Sequence, residues 1–108
     1  MGKKIVLSEM AYYDIDSIFS YVSEDNKQAA EKLRRQIYES LKKLQDFPEM
    51  GPVISEEDVP GAQRGYRRIV VNPYSIFYKV LEDRIVIARL LHGRQNWMQC
   101  IFPFHEKE

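Results

Sequence analysis

The sequence predicts a small α+β domain in which a strand leads into a two-helix antiparallel hairpin, and the hairpin covers one face of a three-stranded antiparallel meander. Three observations predict it. Apolar residues three and four apart run through residues 9–47, with one break near Asp25. Three β-branched and aromatic runs separated by short turns then fill residues 66–92. The length, 108 residues, suits one domain with a modest single core.

Lys3 to Leu7 is short, apolar and β-branched and reads as a first strand ending at Ser8. Ser8 is placed to cap a helix, with Glu9 in the first turn, although Ala11 stands where a capping box would have an acid or amide. Ala11, Ile15, Ile18, Phe19 and Val22 recur at helical spacing to about Ser23, which puts Asp14, Asp16 and Ser17 on the opposite, wet side. Asp25, with Gln28 three residues on, predicts the start of a second helix whose stripe is Ala30, Leu33, Ile37, Leu41, Leu44 and Phe47. Pro48 ends it. Glu31 and Arg35 are spaced for an i,i+4 pair on its outer face. So short a connection makes the two helices fold back on each other.

Residues 48–63 carry Gly51, Pro52, Pro60 and Gly61 around Glu56-Glu57-Asp58, which is loop chemistry with a solvated acidic cluster. Tyr66 to Val71, Tyr74 to Leu81 and a run from Arg84 follow as strands, with turns at Pro73 and Glu82-Asp83. The last run, closed by Gly93, fills both parities with apolar residues, Ile85, Ile87 and Leu91 on one and Val86, Ala88 and Leu90 on the other. That predicts a central strand covered on both faces. The domain is expected over residues 1–98, with residues 99–108 a tail that either packs across the sheet or docks elsewhere.

Basic and acidic residues balance at 16 each, so total charge names no partner. Their distribution is uneven. Residues 64–94 hold seven basic and two acidic side chains, whereas residues 1–63 hold eight basic and twelve acidic, and the basic half predicts a face for an acidic partner. One cysteine, Cys100, excludes an internal disulfide and any site of several thiolates, and no cofactor or metal is expected. No apolar run is long enough to span a bilayer, and the N-terminus is too short for a signal peptide, so a cytoplasmic protein is expected.

Ala11-x-x-Asp14-Ile15-x-x-Ile18-x-x-Tyr21, Phe47-Pro48-x-x-Gly51, Tyr66-Arg67, Tyr74-x-Ile76-x-Tyr78 and Ile85-x-Ile87-x-Arg89-x-Leu91-His92-Gly93-Arg94 together resemble the RelE/ParE superfamily of bacterial toxins over residues 4–97. The resemblance implies the toxin of a type II toxin–antitoxin system, neutralised in a hetero-oligomeric complex by an antitoxin whose C-terminal segment wraps it. Two activities occur on this fold. RelE-like members cleave mRNA on the ribosome without metal, using basic side chains and a proton handler; ParE-like members inhibit DNA gyrase and are associated with plasmid stabilisation. This chain has Ser75 where the nucleases place an arginine after the tyrosine, and Gly93 then Trp97 where they supply a late tyrosine. The Leu-His-Gly-Arg ending is closer to ParE-like members, which favours gyrase inhibition over the ribosome-dependent endonuclease.

The resemblance directs attention to Arg67, Arg89, His92 and Arg94, as catalytic residues if the chain is a nuclease and as partner-binding residues, with Trp97, if it is not. Each has a plainer structural role open to it. Arg89 lies inside an apolar run, so it either meets a helix carboxylate or opens onto a surface that binds something anionic or polar. His92 is a structural hydrogen-bonding residue or a group titrating near neutrality. Arg94 is a rim charge or part of the site, and Trp97 is packed or an interface anchor. Arg67 and Arg68 alternate across the pleat, so only one of them can serve a given face.

Overall fold

The computed structural model describes residues 2–54 and 65–93; Arg94, Trp97, Cys100, the acidic triplet and the expected boundary at residue 98 lie outside the described residues. The elements are β1 (Lys4–Leu7), α1 (Glu9–Asp25), α2 (Lys27–Asp46), β2 (Tyr66–Val71), β3 (Tyr74–Val80) and β4 (Arg84–His92). They form the expected α+β arrangement with one addition. The sheet has four strands in the order β1-β4-β3-β2, and β1 runs parallel to β4, Lys4 opposite Arg84 through Leu7 opposite Ile87. A parallel neighbour needs a crossover, which the helical hairpin supplies. β4 is therefore interior, as its two apolar parities require.

Ser8 caps α1, its Oγ accepting the Ala11 N–H at 3.0 Å. Asn26, rather than Asp25, joins the helices. Its N–H donates to the Val22 carbonyl while its Oδ1 accepts the Ala29 N–H, so one extended residue ends α1 and begins α2. Asp25 is left as the last residue of α1. Ala11 and Ile18 of α1 and Leu33, Ile37 and Leu44 of α2 pack on Ile69, Ile76, Tyr78, Ile85, Ile87 and Leu90 of the sheet. Each fully buried aliphatic side chain contributes about 1.5–3 kcal/mol. Phe47 leaves the stripe at the helix end and is exposed. On the outer face Glu31 pairs with Arg34 at 3.3 Å, one residue short of the Arg35 predicted, because i,i+3 brings the fork equally close.

β3 and β4 change register between Phe77, opposite Arg89, and Tyr78, opposite Ile87. Ala88 is the extra residue of a bulge. The insertion reverses the alternation, so Leu90 joins Ile85 and Ile87 against the helices and Leu91, opposite Ser75, does not. Simple alternation had grouped Leu91 with Ile85 and Ile87. On the side away from the helices Ser75, Phe77 and Leu91 are all at most 1% exposed, so that face is not the open surface the charge pattern predicts at these positions.

The segment after α2 is more ordered than its loop composition suggests. Tyr78 is fully buried, and its hydroxyl donates to the Pro48 carbonyl at 2.8 Å and accepts the Gly51 N–H at 3.0 Å. A Cβ on Gly51 would lie 2.6 Å from the Arg68 carbonyl and 2.8 Å from that hydroxyl, so only glycine fits. The chain then runs along β2: Arg68 N–H donates to the Pro52 carbonyl, Ile54 N–H donates to the Tyr66 carbonyl, and Val53 bridges Arg67. This covers the outer sheet edge.

We predict that Tyr78→Phe costs about 1–3 kcal/mol, because the buried Gly51 N–H and the part-buried Pro48 carbonyl both lose their partner. Burial raises the Tyr78 pKa above its ordinary 10.0, opposed by the Gly51 N–H and by Arg67. The folded state thus favours the neutral phenol. Its contribution is complete below the unfolded value and declines as pH rises through the higher folded value. Urea midpoints of the two proteins should converge under alkaline conditions; a gap that is small at neutral pH, or that widens with alkali, would contradict the assignment.

Candidate functional site

Of the predicted site residues, Arg89 and His92 lie on β4 and Arg67 on β2, and the structure gives these three different partners. Arg89 meets Asp14 of α1 as a fork on a fork, Nε to Oδ2 at 2.7 Å and Nη2 to Oδ1 at 2.9 Å. The two side chains are 14% and 10% exposed, so this is a shielded pair. Of the two roles open to Arg89, the pair with a helix carboxylate is therefore occupied. Asp14 is not on the wet side of α1. It follows Ala11 by three residues and precedes Ile18 by four, which places it on the buried stripe. Its polar type hid the spacing.

The same carboxylate completes a strand edge. β1 ends at Leu7 opposite Ile87, and beyond that point β4 would present unpaired backbone groups on that side. Ser8 N–H donates to the Ile87 carbonyl, Ser8 Oγ donates to the Ala88 carbonyl at 2.8 Å, and Asp14 Oδ2 accepts the Leu90 N–H at 3.0 Å. The first turns of α1 thus stand in for the missing length of β1. The bulge at Ala88 falls within this stretch.

Arg67 and Arg68 separate as the pleat demands. Arg67, opposite Tyr78, donates from Nη1 to the Gly51 carbonyl at 2.7 Å and the Glu49 carbonyl at 3.2 Å, so it braces the segment after α2. Arg68, opposite Phe77, donates from Nε to Ser75 Oγ at 3.0 Å. Ser75 is thereby buried under the arginine of the next strand. Arg68, Phe77 and Arg89 fall in one register row across β2, β3 and β4, whereas Arg67 is one row away and His92 three rows away at the far end.

His92 packs edge-to-face on Tyr74, with ring centroids 5.6 Å apart and planes at 86°. Burial raises the Tyr74 pKa, and the Tyr21 phenol of α1 raises it further. Tyr74 and His92 set two aromatic groups with polar tips where β3 begins and β4 ends. Among the described residues no group of three or more histidine, cysteine, aspartate or glutamate side chains is arranged to hold a metal, and no helix is long and apolar enough to cross a membrane. Asp14 is the residue whose role reading by type overlooked; a lone acid in one apolar stripe and a lone arginine in another was the available signal for it.

Removing one member of a shielded ion pair leaves the other charge uncompensated. We predict that Asp14→Ala destabilises the fold by about 3–5 kcal/mol, while Asp14→Leu combined with Arg89→Met recovers only part of the loss, because the Leu90 N–H still lacks its acceptor. Denaturant unfolding of the single and double variants checks this; two single losses that simply add would show that the side chains do not act as a pair.

Residues 5–97 match the family model described as the ParE toxin of the type II toxin–antitoxin system parDE. The chain is 33% identical over 85 residues to Toxin ParE3 of Caulobacter vibrioides, covering 77% of this chain and 79% of that protein. Among solved structures it resembles the chromosomal ParDE system of P. aeruginosa, with a TM-score of 0.66 at 24% identity over 83% of this chain and 95% of that one. It also resembles the RelB–RelE antitoxin–toxin complex of Methanococcus jannaschii, with a TM-score of 0.56 at 20% identity over 91% and 99%. A mixed four-stranded sheet backed by a helical hairpin, with the matched residues spanning β1 to the end of β4, identifies the chain as a member of the ParE toxin family of type II toxin–antitoxin systems.

Proposed function

We propose that this toxin acts by binding rather than by bond cleavage, that its target is DNA gyrase, and that a cognate antitoxin neutralises it in a hetero-oligomeric complex. The observation that carries the reading is the dispersal of the basic residues. A metal-free nuclease needs cations converging on the phosphate that is cut, together with a proton handler beside them. Here Arg67 is turned to the carbonyls after α2, Arg89 to Asp14, and His92 to the Tyr74 ring. The position after Tyr74 holds a buried serine bonded to Arg68. These contacts suit a rigid platform for a protein partner. Arg94 and Trp97, which come after β4 in sequence, are proposed as partner-binding residues with His92, and Arg67 and Arg89 as residues that hold the platform. A partner of net negative charge matches the basic residues 64–94. A cytoplasmic location follows from the proposed target.

A second reading is the ribosome-dependent mRNA endonuclease. His92, packed on the Tyr74 ring, is the residue that favours it.

We predict that the purified toxin inhibits gyrase supercoiling, that added antitoxin reverses the inhibition, and that Trp97→Ala weakens it about tenfold or more. Toeprinting on translating ribosomes provides the opposing test. Cleavage in the ribosomal A site that is lost in His92→Ala, with supercoiling untouched, would replace the first reading by the second.

A further inference from the structure

The helical hairpin turns an outer surface to solvent whose two halves carry opposite charge. α1 holds five acidic residues and no basic one, and all but Asp14 are exposed. α2 holds six basic residues against three acidic, and all six are exposed. Between the charges stand Tyr12, Tyr13 and Tyr38, which are 62%, 69% and 62% exposed. Exposed aromatic side chains ringed by charge are the usual composition of a protein contact, because the rings give area at low entropic cost and the rim gives orientation.

We propose that this surface is a contact between two copies of the chain. Two hairpins can stack face to face about a two-fold axis in either of two ways. An axis running across the helices sets α1 on α1 and α2 on α2, so like charges oppose. An axis parallel to the helices sets each acidic α1 on its partner's basic α2, twice by symmetry. Charge selects the second. The levels also match. Because a single residue, Asn26, joins the helices, residues about equally far before and after it lie level. Asp16 then faces Arg35 of the other copy, Glu9 faces Lys42, and Tyr13 meets Tyr38, once on each side of the axis. The contact uses neither Arg89 nor His92 and does not depend on which target the toxin has.

The isologous geometry gives a test that folding defects cannot imitate. Sedimentation equilibrium of the full chain at low salt should show a monomer–dimer equilibrium that shifts towards monomer as salt is added. Asp16→Arg alone and Arg35→Asp alone should each weaken self-association about tenfold or more, since each dimer gains two repulsive pairs. An equimolar mixture of those two variants should form a heterodimer, and the chain carrying both changes should dimerise again. A wild type that stays monomeric at every concentration would overturn the proposal, as would single variants that dimerise normally or a double variant that remains monomeric while folded by circular dichroism.

Discussion

The Asp14 carboxylate is the contact on which the upper half of the sheet depends. It ties α1 to β4 at two points, holding the guanidinium of Arg89 and accepting the Leu90 N–H, and so seats the second turn of α1 against the strand. A shielded ion pair gains little net stability over a well-packed apolar pair, because desolvation opposes the Coulomb attraction. Its value here is geometric. An apolar residue at position 14 could fill the same space but could not satisfy the Leu90 amide, and β4 beyond Ile87 would have an unpaired edge. With Ser8 and Asp14 in place, a strand flanked by only four residues of β1 stays ordered through His92.

The other edge of the sheet is closed by a different device. The Tyr78 hydroxyl lies between the Pro48 carbonyl and the Gly51 N–H, and Arg67 binds the carbonyls of Glu49 and Gly51. These bonds hold the chain after α2 along β2. Ser8 and Asp14 thus complete β4 beyond the end of β1, and the backbone of residues 52–54 pairs along the outer edge of β2. The consequence for function is that two of the arginines drawn from the sequence as site candidates help to fasten the platform. What remains at the end of β4 is His92, packed edge-to-face on Tyr74.

The α+β class and most element ends were legible because they rest on periodicity, and periodicity reports which face is buried. Ser8 as a cap, Pro48 as a stop and the strands beginning at Tyr66 and Tyr74 all follow from local rules that tertiary packing did not override. The partner of β1 was not legible, since four residues carry no signal of which strand they join. Neither was the bulge: Ala88 has too small a side chain to mark a change of face, and Leu90 and Leu91 are chemically alike. Asp14 was misplaced because its type outweighed its spacing. For the site, the sequence could say that only one of Arg67 and Arg68 serves a face, but which one depends on the register with Tyr78 and Phe77. The open face predicted from charge failed at Ser75, Phe77 and Leu91, where apolar residues on both parities were the better guide.

The central structural claim, that the α1 carboxylate replaces the missing length of β1 beside β4, is tested most directly by amide hydrogen exchange at Leu90 in the folded protein. If the Asp14 bond completes the edge, the Leu90 amide should be protected to nearly the same degree as the amides paired between β3 and β4, and should open only with the domain as a whole. Exchange at Leu90 as fast as that of an exposed edge amide, with the rest of β4 still protected, would contradict it.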